Sequence, residues 1–272
     1  MGTTFAIVVA DHDAHLLDAA AHLIAEIEGR WSRFLPDSEV SILNRNAGSP
    51  VIVSADTFQV IQAAIDGAEA TGGRFDPTVH DSLVALGYDR SFAEIQATDA
   101  AAVPAPGVSG ITVDAALYAV TLPAGVRIDL GGIGKGTAAD VVAASLAASG
   151  ASGAAVSIGG DVRVWGESPS GEGWRFTFDQ QNLPFGSLRD AGVCTSTVSR
   201  RRWTSSHGPV HHLVDPATGE PTCGTIESIT VISATAQQAE VLTKAAMVAG
   251  LDAPDLLESF GATAHIRWAN AA

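Results

Sequence analysis

The stretch DLGGIGKGTAAD, Asp129 to Asp140, decides between a nucleotide-binding parallel sheet and a different kind of fold. It invites a phosphate-loop reading and fails it twice. Asp129 stands where GxxxxGK[ST] needs its first glycine, and Gly136 follows Lys135 where the pattern needs Ser or Thr. It fails GxGxxG as well, because Thr137 occupies the last glycine position. What survives is a glycine-rich turn opening a helix, with one lysine in it. Such a turn can present backbone N–H groups to a phosphate, or it can simply let a helix pack closely.

Working outward, apolar residues recur at helical spacing on both sides of this turn. Leu17, Ala20, Ala21, Ile24 and Ile27 predict a helix from about Ala14 to Gly29. Ser54 is a plausible N-cap for a second helix carrying Phe58, Ile61, Ile65 and Ala68 on one face, stopped by Gly72-Gly73. The turn itself leads into a helix expected from Thr137 to Ser149. Further helices are expected from Ala236 to Ala249 and, shorter, after Asp252. Strands are expected at residues 3–10, 154–158, 161–166, 174–178, 210–214, in SITVISA and in the closing TAHIRW, with a hairpin near Asp114. Residues 99–110 read as a surface loop and residues 31–48 as turn-rich. Helices and strands mix without strict βαβ alternation, which favours an α+β fold over a doubly wound sheet. No linker divides the chain, so residues 1–272 read as a single domain.

With 272 residues the chain can bury a substantial core. A formal net charge of −15 argues against a general nucleic-acid phosphate binder. The amino terminus shows no signal-peptide pattern and no apolar run is long enough for a membrane helix, so a cytoplasmic protein with no membrane partner is expected. Cys194 and Cys223 allow at most one bridge. The bases are thirteen Arg but only two Lys, Lys135 and Lys244. His211-His212 with Asp215 is a weak metal pattern, since adjacent residues on a strand face opposite ways. No GxSxG elbow supports a serine hydrolase.

Eight segments in order resemble the ApbE family, the FAD:protein FMN transferases. They are MGT (Met1 to Thr3), SRFLPDSEVSILN (Ser32 to Asn44), GGRFDPTV (Gly72 to Val79) and the glycine turn. SIGGDVRVWG (Ser157 to Gly166), TSTVSRRRW (Thr195 to Trp203), HLVDPATGEP (His212 to Pro221) and AEVLTKAAMVAG (Ala239 to Gly250) follow. The resemblance implies an α+β fold like two fused T-fold units. It implies a reaction that takes FAD, attaches FMN through its phosphate to a Thr or Ser of an acceptor protein, and releases AMP. It also implies FAD contacts at Met1, Gly2, Thr3, Phe34, Ser38, Arg74, Phe75, Asp76, Asp129, Lys135, Gly159, Gly160, Thr195 and His212. Phe34 would stack on the flavin. Lys135 would neutralise phosphate, and His212 is the candidate base because imidazole titrates near neutrality. The competing role for His212 is structural, holding the DPATG loop.

The family's Mg2+ motif resembles DxxxT, and here its places hold Glu240 and Lys244. Three readings follow: Lys244 replaces the metal's charge; a metal shifts onto Glu240, Thr243 and a carbonyl near Gly132; or the chain is an FAD carrier or sensor with a disabled site. An FAD pyrophosphatase giving FMN and AMP is a further alternative. Arg200, Arg201 and Arg202 form a basic island that could engage adenosine or an acidic acceptor loop. DPATGEP departs from the family's acceptor motif at Glu220, so self-flavinylation is not expected.

Overall fold

The computed structural model describes residues 3–10, 14–95, 100–176, 186–205, 208–222 and 224–269. The chain begins with β1 (Phe5–Val9), α1 (Ala14–Trp31), α2 (Glu39–Arg45), β2 (Val51–Ile52), α3 (Ala55–Ala70) and α4 (His80–Ala85). A short hairpin, β3 (Thr112–Asp114) and β4 (Ala119–Thr121), precedes α5 (Gly134–Ala148), β5 (Gly153–Ile158), β6 (Asp161–Gly166) and β7 (Asp190–Thr197). The remainder is β8 (Arg202–Ser205), β9 (Gly208–His211), β10 (Ile226–Ser233), α6 (Ala236–Ala249), α7 (Ala253–Ser259) and β11 (Thr263–Trp268).

Six strands form one sheet in the order β1-β5-β6-β7-β10-β11, every neighbouring pair antiparallel. The architecture is α+β, and α5 and α6 pack against this sheet and each other. Alternation explains the packing: in β5, Ala154, Val156 and Ile158 are buried, and they join the core beneath α5. Ile24 and Ile27 of α1 and Phe58, Ile61 and Ile65 of α3 extend the same core. Ser54 caps α3 as its position suggests, its hydroxyl accepting from the Thr57 N–H.

Two helices exchange carboxylates. Asp140 of α5 accepts from the Ala236 and Gln237 N–H groups that open α6, at 3.0 and 2.8 Å. Glu240 of α6 accepts from the Gly136 N–H in the first turn of α5, at 2.7 Å. Each helix thus receives negative charge where its dipole is positive. The helices meet so closely that a Cβ on Gly136 would lie 2.3 Å from the Ala236 carbonyl oxygen. Gly136→Ala is therefore expected to destabilise the protein by about 1–3 kcal/mol through overpacking, read as a lower denaturation midpoint.

Several elements depart from sequence expectation. The helix after the glycine turn begins at Gly134, three residues early, because Gly134, Lys135 and Gly136 are already helical. Of the strand expected at 174–178, residues 174–176 form only a single bridge, Trp174 to Leu188, and 177 and 178 lie outside the described residues. The expected strand at 210–214 ends at His211, and Val214 bridges Pro221 instead. The loop at 100–110 has no regular element but is pinned. The Val103 carbonyl accepts from Ser82 Oγ, the Ala105 N–H donates to the Pro216 carbonyl, and the Gly107 N–H donates to Thr78 Oγ1. Cys194 is a free, buried thiol, and Cys223 lies outside the described residues. Among the described residues no helix is long and apolar enough to cross a membrane.

Candidate flavin and phosphate site

Two cavities meet at the start of α5. The first is aromatic, with Trp31, Phe34, Phe75 and Tyr88 in its wall. The second opens over the sheet, with Ala155, Gly159, Gly160, Thr195 and Thr230 among its lining residues. Five residues line both: Gly131, Lys135, Arg201, His212 and Lys244. Four of these five can carry positive charge or a proton, and they gather in a chain whose overall charge is strongly negative.

The aromatic wall is built around a buried arginine that sequence reasoning did not single out. Arg33 pairs with Asp129 at 2.5 Å, and its guanidinium sits 4.3 Å from the Phe34 ring centroid and 4.9 Å from that of Tyr88. Phe34 and Tyr88 are themselves 5.6 Å apart. Asp129 also accepts from the Gly131 N–H, so one carboxylate ties the glycine turn to the aromatic wall. Gly132 packs closely here, since a Cβ would stand 3.0 Å from the Phe75 ring.

Most expected FAD contacts converge on these cavities. Phe34, Arg74, Phe75, Asp76 and Asp129 line the aromatic one, and Gly159, Gly160 and Thr195 the other. Thr3 stands beside Gly159, where a Cβ would meet its hydroxyl at 2.8 Å and the Lys135 stem at 3.1 Å. Gly159 and Gly160 both take positive φ, so the turn requires glycine. Asp76 serves the turn as well as the cavity, accepting from the Thr78 N–H and hydroxyl; burial raises its pKa against those hydrogen bonds. Ser38 lines neither cavity; it is buried and caps α2, accepting from the Ser41 N–H. Met1 and Gly2 lie outside the described residues.

Lys135 is more occupied than its sequence context suggests. Its ammonium donates to Asp161 Oδ2 at 2.6 Å and to Glu240 Oε1. Burial alone would lower its pKa, but the Asp161 and Glu240 carboxylates outweigh that and push it above the lysine range. The converse holds for Asp161, whose burial is outweighed by Lys135 and then Lys244, leaving it below the usual carboxylate value. Lys244 holds its contacts more loosely, reaching Glu240 Oε1 at 3.4 Å and Thr243 Oγ1 at 3.3 Å.

A divalent cation, implied by the resemblance, does not fit this donor set. Glu240 is fully buried, and its two oxygens already accept from two ammonium groups and the Gly136 N–H. Thr243 Oγ1 donates to the Glu240 carbonyl and accepts from Ser196. Gly132 faces Phe75 and the Lys244 stem. A metal placed among Gly132, Glu240 and Thr243 would meet two fixed positive charges. Among the described residues no three His, Cys, Asp or Glu side chains cluster to hold a metal.

The adjacent histidines divide two roles. His211 pairs across to Arg202 in the β8–β9 hairpin, and its Nδ1 accepts from the Leu213 N–H. His212 lines both cavities, and its Nδ1 is buried with no hydrogen-bond partner among the described residues. Burial, then Arg201, Lys244, Lys135 and His211, hold its pKa well below the ordinary imidazole value. Arg201 reaches the junction from a left-handed backbone conformation, φ 49°, uncommon for a side-chain-bearing residue.

The model of the ApbE family matches residues 1–266. A protein of Vibrio cholerae serotype O1 named FAD:protein FMN transferase is 28% identical over 239 residues, 84% of this chain and 71% of its own length. The crystal structure of the ApbE protein from Thermotoga maritima superposes with a TM-score of 0.85 at 28% identity, covering all of this chain and 93% of that one. The flavin transferase ApbE from Vibrio cholerae gives a TM-score of 0.79 at 26% identity, covering 98% and 90%. With a family match across nearly its full length and the fold to go with it, this chain belongs to the ApbE family.

Proposed function

We propose that this chain is an FAD:protein FMN transferase. The observation that carries the reading is the junction of the two cavities, where the His212 ring stands among Lys135, Lys244, Arg201 and the start of α5. The aromatic cavity suits the flavin ring system, with Phe34 available for stacking. The diphosphate then lies at the junction, near the helix N-terminus and the cations. The second cavity leaves room for the acceptor to approach.

The step is in-line attack. The acceptor Thr or Ser oxygen bonds to the flavin-side phosphorus, the anhydride P–O bond breaks, and AMP leaves with the bridging oxygen. The hydroxyl proton passes to His212, which returns it to solvent. A base must be neutral before it acts, and the lowered pKa of His212 keeps it so at neutral pH.

The test is AMP release with and without an acceptor domain. Acceptor-dependent AMP supports transfer, and equal release in its absence identifies a pyrophosphatase. The acid limb of the rate profile is expected below about 6.5, the ordinary imidazole value. Stability should fall on the same side. His80, His211 and His212 are all held below that value, chiefly by burial, so the unfolded chain takes up protons first as pH drops. Thermal melts from pH 8 to pH 5 read this, and a flat profile would contradict it.

A further inference from the structure

We infer that Lys244 is the cation that meets the diphosphate, standing where a divalent metal ion would otherwise be required. The inference rests on the transferase reading above and concerns how the same site handles phosphate charge.

The two lysines of the chain share one carboxylate oxygen, Glu240 Oε1, yet they are bound differently. Lys135 is held by Asp161 and Glu240 together. Those carboxylates are in turn held by backbone, Glu240 by the Gly136 N–H and Asp161 by the Thr195 N–H. Lys135 is thus the strut of a closed network, its charge matched locally. Among the described residues Lys244 makes two hydrogen bonds, at 3.4 and 3.3 Å, long for charge-assisted ones. Its ammonium has three donors, and the residue lines both cavities. It is therefore the cation best able to turn toward an anion at the junction.

Position supports this. The Lys244 stem packs beside Gly132, where a Cβ would lie 3.6 Å from its Cγ, so the residue is held against the glycine turn. The first-turn N–H groups of α5 and Arg201 add positive potential from other directions. A fixed ammonium can supply charge neutralisation to a diphosphate with no metal ligand set, although it acts as a point charge.

The experiment measures binding of FAD, ADP and riboflavin to the intact protein by calorimetry, once in EDTA and once in excess Mg2+. The wild-type protein should bind FAD and ADP equally well in both. Lys244→Met should weaken FAD and ADP by about 10–100-fold, the worth of a charge-assisted contact, while riboflavin, which has no phosphate, binds as before and reports an intact fold. Lys244→Arg should recover part of the loss. Wild-type FAD binding that collapses in EDTA and returns with Mg2+ overturns the inference but leaves the transferase reading standing. FAD binding by Lys244→Met equal to wild type also overturns it. No FAD binding by folded wild-type protein in either buffer overturns both.

Discussion

Replacing Glu240 by alanine is expected to cost about 3–5 kcal/mol of stability, the range for leaving a buried ionic partner uncompensated. By position alone Glu240 and Lys244 are an i,i+4 helix pair, which at a surface contributes only about 0.3–0.5 kcal/mol. The structure decides between these figures. Glu240 is fully buried, Lys135 depends on it and Asp161, and the Gly136 N–H that opens α5 has it as acceptor. Its loss would strand an ammonium and a backbone donor at once, and would uncouple α5 from α6. Urea unfolding of Glu240→Ala and Glu240→Gln measures this. Glutamine keeps an acceptor for Gly136, so it should be the milder change. A loss under about 0.5 kcal/mol for alanine would place the pair among ordinary surface pairs and contradict the network.

His212→Ala should lower the transfer rate by about 10²–10⁴-fold, the usual contribution of a positioned general base. FAD affinity should change little, because the uncharged ring adds no charge to the diphosphate site. The structural alternative predicts the reverse pattern, a destabilised loop with altered binding. His211 Nδ1 accepts from the neighbouring Leu213 N–H, whereas among the described residues His212 Nδ1 has no hydrogen-bond partner. Single-turnover rates at saturating FAD, alongside FAD affinity, separate the two. An unchanged rate would remove His212 from the mechanism.

Much of this was legible in the sequence, and the omissions have physical reasons. The helices α1, α3 and α6 carry long apolar periodicity, and α6 and β11 match their expected bounds. The seven residues of α2 are too few to show a period, although Ser38 marks its start. The strand β7 reads DAGVCTST, small and polar without clean alternation. It is a strand because β6 and β10 pair with it on both edges, which is tertiary context. Helix α5 shows little amphipathicity because it is buried against both the sheet and α6.

The site divides in the same way. Its glycines, Phe34 and His212 stand in motifs whose residue types already suggest a ligand. The setting of Lys135 could not be read locally, because Asp161 and Glu240 lie 26 and 105 residues away. Arg33 was hidden for a similar reason: its partner Asp129 comes from another motif. Ser38 shows how a polar residue in a motif can serve locally: its hydroxyl caps a helix.

The most direct test of the central claim is the intact mass of a separate flavin-acceptor domain after incubation with this protein and FAD. The acceptor should gain one FMN, less water, at a single Thr or Ser, with one AMP released per acceptor modified. An unmodified acceptor, with FAD demonstrably bound to folded protein, would contradict it.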